Sequence, residues 1–279
     1  MRIKCWGSRG SVPVSGREFI KYGGDTTCIE IKTNSGDTII VDAGTGIRRL
    51  GNSLIEEKTN KFNFLFTHSH WDHIIGFPAF KPLFFENTKI DVYRCPFPND
   101  YIEKMLATVM RPPNFPVRYS DLKAEITYID SCPESFEIGS VKVDSIPISH
   151  PNSGCGYRFT ENGKVFVFLT DNELGFSHFG GASYEEYCDF CEGADLLFHD
   201  AEYTEAEYSK QTSWGHSSFT DALKLAIDSN VKKLGLFHIN SERADDEMDK
   251  IVSQANDIIT EKKVPLECFG TTCNTTVDL

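Results

Sequence analysis

No apolar stretch in this 279-residue chain approaches the roughly 18 consecutive residues that a membrane-spanning helix requires. The opening residues Met1-Arg-Ile-Lys-Cys read as the start of a strand and lack the apolar core of a signal peptide. Positive charge is scarce as well. Lys and Arg number 28 against 41 Asp and Glu, a net charge of −13, and no run of basic residues occurs. A long nucleic acid would meet a repulsive surface, which argues against it as the main partner. The nine cysteines are odd in number and scattered, so they do not suggest a disulfide framework, and a reduced, cytoplasmic protein is expected. Cys188-Asp-Phe-Cys191 has the spacing of a metal or redox motif, but no second pair matches it. A packed pair of thiols is the simpler reading. Internal repeats and low-complexity linkers are missing too. With 40% hydrophobic residues, the chain 1–279 reads as one domain with a sizeable core.

What the chain does have is Phe64-Leu-Phe-Thr-His68-Ser-His70-Trp-Asp72-His73. Four apolar or β-favouring residues run straight into three histidines and an aspartate. The run predicts a buried strand whose polar cluster begins where the strand gives way to a loop. Alternation along an extended end puts His68 and His70 on one side. Asp72 and His73, after the turn, reach a second point nearby. Neutral imidazoles and a carboxylate suit a borderline divalent metal, with Zn²⁺ the first choice.

The same arrangement recurs along the chain. His150 follows a predicted hairpin over Phe136 to Ser149 that turns at Gly139. Asp171 closes Val165-Phe-Val-Phe-Leu-Thr, His199-Asp200 closes Ala194-Asp-Leu-Leu-Phe, and His238 closes Lys233-Leu-Gly-Leu-Phe. Five strand ends therefore deliver His or Asp, in a chain with only eight histidines. Cys28 to Asp42 reads as a further hairpin. Helices are expected over Tyr101 to Met110, Thr220 to Ser229 and Asp245 to Lys263. The last carries apolar residues at 248, 251, 252, 255, 258 and 259, the spacing of a buried stripe. Gly7-Ser-Arg-Gly10, Tyr22-Gly-Gly-Asp25 and Asp42-Ala-Gly44-Thr-Gly46 are Gly-rich loops. The last of them could also bring backbone N–H groups to the metal cleft. The proline-dense loop Arg111–Val117 cannot be helix or inner strand; it serves either as an active-site wall or as a surface connection.

His-x-His-x-Asp-His is the signature of the metallo-β-lactamase superfamily, and the chain resembles that family from its Gly-Ser-Arg-Gly loop to His238. The resemblance implies an α/β (α+β) fold: an αββα four-layer sandwich, two mixed sheets with helices outside. It implies two divalent metal ions, with Zn first and Mn or Fe as alternatives. His68, His70 and His150 would hold one ion, Asp72, His73 and His238 the other, and Asp171 would bridge. A hydroxide held between them would be the nucleophile. Phe198-His-Asp200-Ala-Glu-Tyr-Thr204 and Trp214-Gly-His216-Ser217-Ser218 resemble the phosphodiesterase branch, which includes ribonuclease Z and the cyclic-phosphate phosphodiesterases. There a histidine paired with an acid protonates the leaving oxygen, and Asp200 and His216 stand at those places. Asp72 would bind metal and steer the nucleophile. His199 reads as a structural residue and His178 as a surface one.

Two departures bear on the substrate. Only 20 positions separate His150 from Asp171, too few for the arm by which ribonuclease Z holds the tRNA elbow, and Ile239 stands where many relatives carry a second histidine. A small phosphodiester, such as a cyclic nucleotide, is the expected substrate, and relatives point to a homodimer. The alternatives are a lactonase or thioesterase of the same fold, which would not need Asp200 and His216, or a metal-binding sensor without turnover.

Overall fold

Thr38-Ile-Ile-Val41 shows how alternation builds the interior. Ile39 and Val41 join one apolar cluster, while Ile40 between them joins another. Phe166 and Phe168 alternate with Val165, Val167 and Leu169 in the same way. A strand that is apolar on both faces must be covered on both, and such strands form the middle of a layered stack. The structure, a computed structural model, describes residues 1–94, 101–129 and 135–279. Cys95, Cys132 and Asp130, the end of the segment read from Lys89, lie outside the described residues.

The first sheet is built from β1 (Arg2–Gly7), β2 (Cys28–Lys32), β3 (Thr38–Val41), β4 (Lys61–Leu65), β5 (Lys89–Tyr93) and β6 (Glu125–Ile129). The second holds β7 (Ser135–Ile138), β8 (Val141–Pro147), β9 (Cys155–Glu161), β10 (Lys164–Leu169), β11 (Leu196–Asp200), β12 (Lys233–Phe237) and β13 (Glu267–Gly270). A last strand, β14 (Thr276–Asp278), returns to pair with β1, giving the orders β14-β1-β2-β3-β4-β5-β6 and β13-β12-β11-β10-β9-β8-β7. The sequence shows no repeat, yet the two sheets share one plan. Antiparallel pairing runs up to β3 in the first and up to β10 in the second, and parallel pairing takes over beyond. Backbone pairing is indifferent to side-chain identity, so the shared plan leaves no sequence period.

Facing residues of the two sheets, among them Ile31, Val41, Tyr157, Phe166 and Phe198, form the central cluster. Full burial of such side chains contributes about 1.5–3 kcal/mol each. Helix α1 (Ile47–Glu56) covers the outer face of the first sheet through Ile47, Leu50 and Leu54. The four-residue α2 (Trp71–Ile74) follows the metal motif, and α3 (Tyr101–Val109) adds Ile102 and Leu106. Helix α4 (Tyr184–Cys191), the short α5 (Glu205–Tyr208), α6 (Phe219–Asp228) and α7 (Asp245–Lys262) follow in the second half, and α4, α6 and α7 cover its sheet. The αββα sandwich is thus the observed architecture. In α7 the stripe packs as expected, with Met248, Ile251, Ala255 and Ile259 buried. Strands β13 and β14 and helix α4 carry no clear periodicity and were not anticipated. Cys188 and Cys191 sit one turn apart on α4, Cys191 inside the core, where burial pushes its thiol up; neither belongs to a cluster of ligating side chains among the described residues. Among the described residues no helix is long and apolar enough to cross a membrane.

Candidate active site

The polar side chains singled out in the sequence gather, together with Asp42, at one end of the sandwich, at the C-terminal ends of its central strands. Asp42 follows β3, the His68–His73 motif follows β4, His150 follows β8, and Asp171 follows β10. Asp200 ends β11, and His238 follows β12. Two of these strands, β3 and β10, lie where antiparallel pairing changes to parallel. Asp42, Asp171 and His238 have φ of 62°, 53° and 54°, a left-handed backbone that turns each chain end sharply. A non-glycine residue there costs on the order of 1–3 kcal/mol, a cost that surrounding bonds must hold in place.

Among the described residues three groups of ligating atoms lie within 4.8 Å of one another: His68, His70, His150 and Asp171 in one, Asp72, His73, Asp171 and His238 in the next, and Asp200, His216 and His238 at their edge. Asp171 belongs to the first two. Its Oδ2 is 3.5 Å from His68 Nε2 and 3.3 Å from His238 Nε2, and its Oδ1 is 3.2 Å from His73 Nε2. The division is the one expected from the motif.

The chemistry of the donor set fits two cations. Four of the rings donate Nδ1–H outward: His73 to Asp42 at 2.8 Å, His150 to the Gly215 carbonyl at 2.8 Å, His238 to Glu202 at 3.0 Å, and His68 to Thr67 Oγ1 at 3.1 Å. Thr67 Oγ1 is free to accept because its own hydroxyl donates to Asp42 at 2.7 Å. Each Nε2 lone pair is thereby turned inward, the arrangement that metal-ligating histidines adopt. Nε2 of His68 and of His73 is buried without a hydrogen-bond partner. His70 presents Nδ1 instead, 3.0 Å from His150 Nε2. Burial lowers both of these rings, His150 to about 3, so two neutral nitrogens face one another. Asn152 Nδ2 lies 3.4 Å from His70 Nε2, and both rings, held neutral, are available as metal donors.

The carboxylates respond to the same enclosure. Burial alone would raise Asp171, but the His238, His73 and His68 rings hold it well below the usual range. Burial likewise opposes the charge of Asp72, which His73 and His238 keep ionised. The Ser11 amide donates to Asp72 Oδ2 at 2.9 Å, and the Ala43 amide of the Asp42–Gly46 loop donates to the His73 carbonyl at 2.6 Å, so both Gly-rich loops pack on the metal motif. Gly10 in the first loop packs so close to the His238 ring that any Cβ would collide with it.

Asp200 and His216 are joined, Oδ2 to Nδ1, at 2.6 Å, and Asp200 Oδ1 also accepts the amides of Glu202 at 3.1 Å and Ser217 at 3.2 Å. The His216 ring stacks on His238 at 4.5 Å and lies 5.2 Å from His150. Burial would lower this imidazole, but Asp200 and Glu202 outweigh it and raise it to about 9. His199 points away; it donates Nδ1–H to the Asp200 carbonyl at 2.7 Å and packs within the core, a structural residue as expected. His178 is not a free surface residue: only part of it is exposed, and its Nε2 lies 2.8 Å from Glu173.

Three carboxylates were missed by sequence reasoning. Asp42 and Glu202 orient ligand rings, and buried Glu173 gathers the loop that carries His216. Glu173 accepts the Gly215 amide at 2.7 Å, the Ser213 amide at 2.7 Å and the Tyr208 hydroxyl at 2.9 Å. Gly215 has φ +94°, and its carbonyl orients His150 while its successor is His216, so one turn sets two functional rings. Asp42 and Glu202 each stand beside a recognised strand end and could have been found there; Glu173 gives no local signal. Arg111–Val117 supplies a wall, with Asn114 and Phe115 lining a cavity beside Ser69 and Trp71. Substituting Glu202 by Ala frees His238 Nδ1 and is expected to weaken metal binding by about 10–100-fold, a loss that competition with a chromophoric chelator measures.

A sandwich of this plan, with a carboxylate shared by two histidine-rich groups at its strand ends, defines a dinuclear metallohydrolase. The chain belongs to the beta-lactamase superfamily, whose domain pattern matches residues 37–239, and it is a metal-dependent hydrolase. Its relatives include the ribonuclease Z of Haloarcula marismortui, 23% identical over 305 residues that cover 92% of this chain and 91% of the relative. The ribonuclease Z of Bacillus cereus is 22% identical over 310 residues, covering 95% and 96%. Among solved structures, the metallo-beta-lactamase fold protein YhfI from Bacillus subtilis superposes with a TM-score of 0.70 at 16% identity, over 99% of this chain and 98% of the other. A diphosphatase from the PhnP family gives 0.68 at 18%, over 100% and 97%. The expected superfamily is therefore found, and ribonuclease Z enzymes stand among the chain's relatives.

Proposed function

We propose that the chain is a dinuclear-metal phosphodiesterase acting on a small phosphodiester, such as a cyclic nucleotide. The observation that carries this reading is the Asp200–His216 pair, 2.6 Å apart and buried at the edge of the ligand set. His68, His70, His150 and Asp171 would hold one divalent ion, and Asp72, His73, His238 and Asp171 the other, with zinc favoured by a donor set of imidazoles and carboxylates. Such ions supply positive charge at the phosphoryl oxygens and a nucleophile from water near neutral pH. His216 supplies what they do not. Its Nδ1 is committed to Asp200, so the proton it can pass on is the one on Nε2. Asp200, itself fixed by two backbone amides, holds the ring in that tautomer and balances its charge. An alkoxide leaving a phosphodiester needs such a proton. Glu173 and Gly215 keep the donor beside His150.

The net charge of −13 supports a small substrate. So does the hairpin between His150 and Asp171, where β9 and β10 are joined by Asn162-Gly163 alone and nothing projects. We read residues 1–279 as one domain, since β14 at the chain's end closes onto β1. The metal-loaded protein is expected to hydrolyse cyclic and linear phosphodiesters, and to leave a lactone, a thioester and a precursor tRNA intact in parallel assays at physiological salt. Turnover of the thioester or lactone alone would replace this reading with the esterase one. Efficient 3′ trimming of the tRNA would overturn the small substrate.

A further inference from the structure

A cavity of about 770 Å³ opens beside the metal motif, between α2 and α3, and nothing in the chemistry described so far uses it. Its wall next to the metals is made by Ser69 and Trp71, which alternate in sequence with His68, His70 and Asp72. Both residues adjoin His70 in the chain, so this wall of the cavity lies beside the ligand set. The far wall is α3, with Met105 and Val109, and Ser69 Oγ is tied to the Tyr101 hydroxyl at 2.7 Å. The volume suits a drug-sized or nucleoside-sized group.

The lining states what kind of group. Apolar surface predominates, with Lys104 a charged member of the lining, so a largely apolar planar group suits most of the cavity. Trp71 is 74% exposed and Tyr101 and Ile75 are each 40% exposed. Large apolar side chains left open at the rim of a cleft mark a ligand groove, and an open indole face is a stacking platform for a planar ring. Ser69, Lys104, Thr108 and Asn114 supply the few polar groups that orient a ligand in such a site. The placing of His216 gives the direction. It lies against His150 and His238, whereas Trp71 adjoins His70 and Asp72 in the chain and lines the cavity with α3. The leaving group departs toward His216, and the ester group that stays on phosphorus is left to the Trp71 side.

We infer that this cavity binds the base of a nucleoside carried on the retained ester of the phosphodiester, with the ring stacked on Trp71. The inference rests on the phosphodiesterase reading above and adds the identity of the non-leaving group. Recognition is by a π-face and by shape, so purine and pyrimidine are both accepted.

The test keeps the leaving group constant. Thymidine 5′-(p-nitrophenyl) phosphate and methyl p-nitrophenyl phosphate both release nitrophenolate, and both are assayed with the zinc-loaded protein. Stacking of one base predicts a kcat/KM at least about 10-fold higher for the thymidine ester, expressed mainly in KM. Trp71→Ala is expected to bring the ratio close to one. Because Trp71 adjoins two ligands, Val109→Asp on α3 repeats the test from the opposite wall and is expected to shrink the same ratio. Calorimetric titration with thymidine 5′-monophosphate against methyl phosphate gives a readout independent of turnover, and the same preference is expected there. Equal rates for the two esters in the unaltered protein, or a ratio that both substitutions leave intact, would overturn the base site while leaving the phosphodiesterase standing. Hydrolysis of neither ester would overturn the phosphodiesterase reading and this inference together.

Discussion

Asp171→Ala is expected to reduce the metal content from two ions per chain to one or none, and with it hydrolysis by more than about 10³-fold, since metal-activated water is the only strong nucleophile such a site offers near pH 7. Asp171 is the one residue common to both ligand groups, and its two oxygens face rings from β4, the α2 turn and the end of β12. Removing it leaves His68, His70 and His150 with no carboxylate in their group, and Asp72 as the one carboxylate beside His73 and His238. Asp171→Asn separates charge from shape. The amide still fills the space, yet it brings one neutral oxygen where there were two sharing a charge, so at least one ion should be lost there too. Elemental analysis after gel filtration decides the matter. Two ions retained by both variants would remove Asp171 from the bridging place.

His216→Ala should behave differently: metals kept, fold kept, turnover slow. Loss of a general acid typically costs about 10²–10⁴-fold. The protein tolerates the change because Asp200 still accepts the Glu202 and Ser217 amides and is not left without partners. The defect is expected to be large for an alkyl or nucleoside leaving group and to shrink for nitrophenolate, which departs without a proton. Asp200→Asn should give the same pattern more weakly, since it loses orientation and charge balance but not the proton. Equal slowing of activated and unactivated phosphodiesters, with metal content unchanged, would make His216 a phosphate-positioning residue.

These two variants probe residues of unequal legibility. Asp171 could be found because it closes Val165-Phe-Val-Phe-Leu-Thr, an apolar run whose first polar interruption at a strand end points to a site. His216 lies in a loop with no periodicity; only its likeness to a family motif singled it out. Glu173 stayed hidden altogether. It looks like any acid in a polar turn, and its role exists only because residues 40 positions later fold back to place Ser213 N and Gly215 N on it. The cavity beside Trp71 is of the same kind, since α3 meets the metal motif only after β5 has been laid between them in the sheet.

The sequence by itself determined most of the strands, the helix stripe of α7 and the candidate metal-binding residues of the His68–His73 motif, because these depend on residue type at short spacings: alternation for burial, imidazole and carboxylate for a metal. It also placed the ligands at strand ends. What only the tertiary structure decided is which partners meet across the chain. Asp42 under His73, Glu202 under His238, Glu173 under the His216 loop and the open face of Trp71 each depend on contacts between segments distant in sequence. The physical reason is that a hydrogen bond or a cavity is a property of two surfaces. Local pattern specifies each surface alone, and the packing of two sheets with one shared plan brings them face to face.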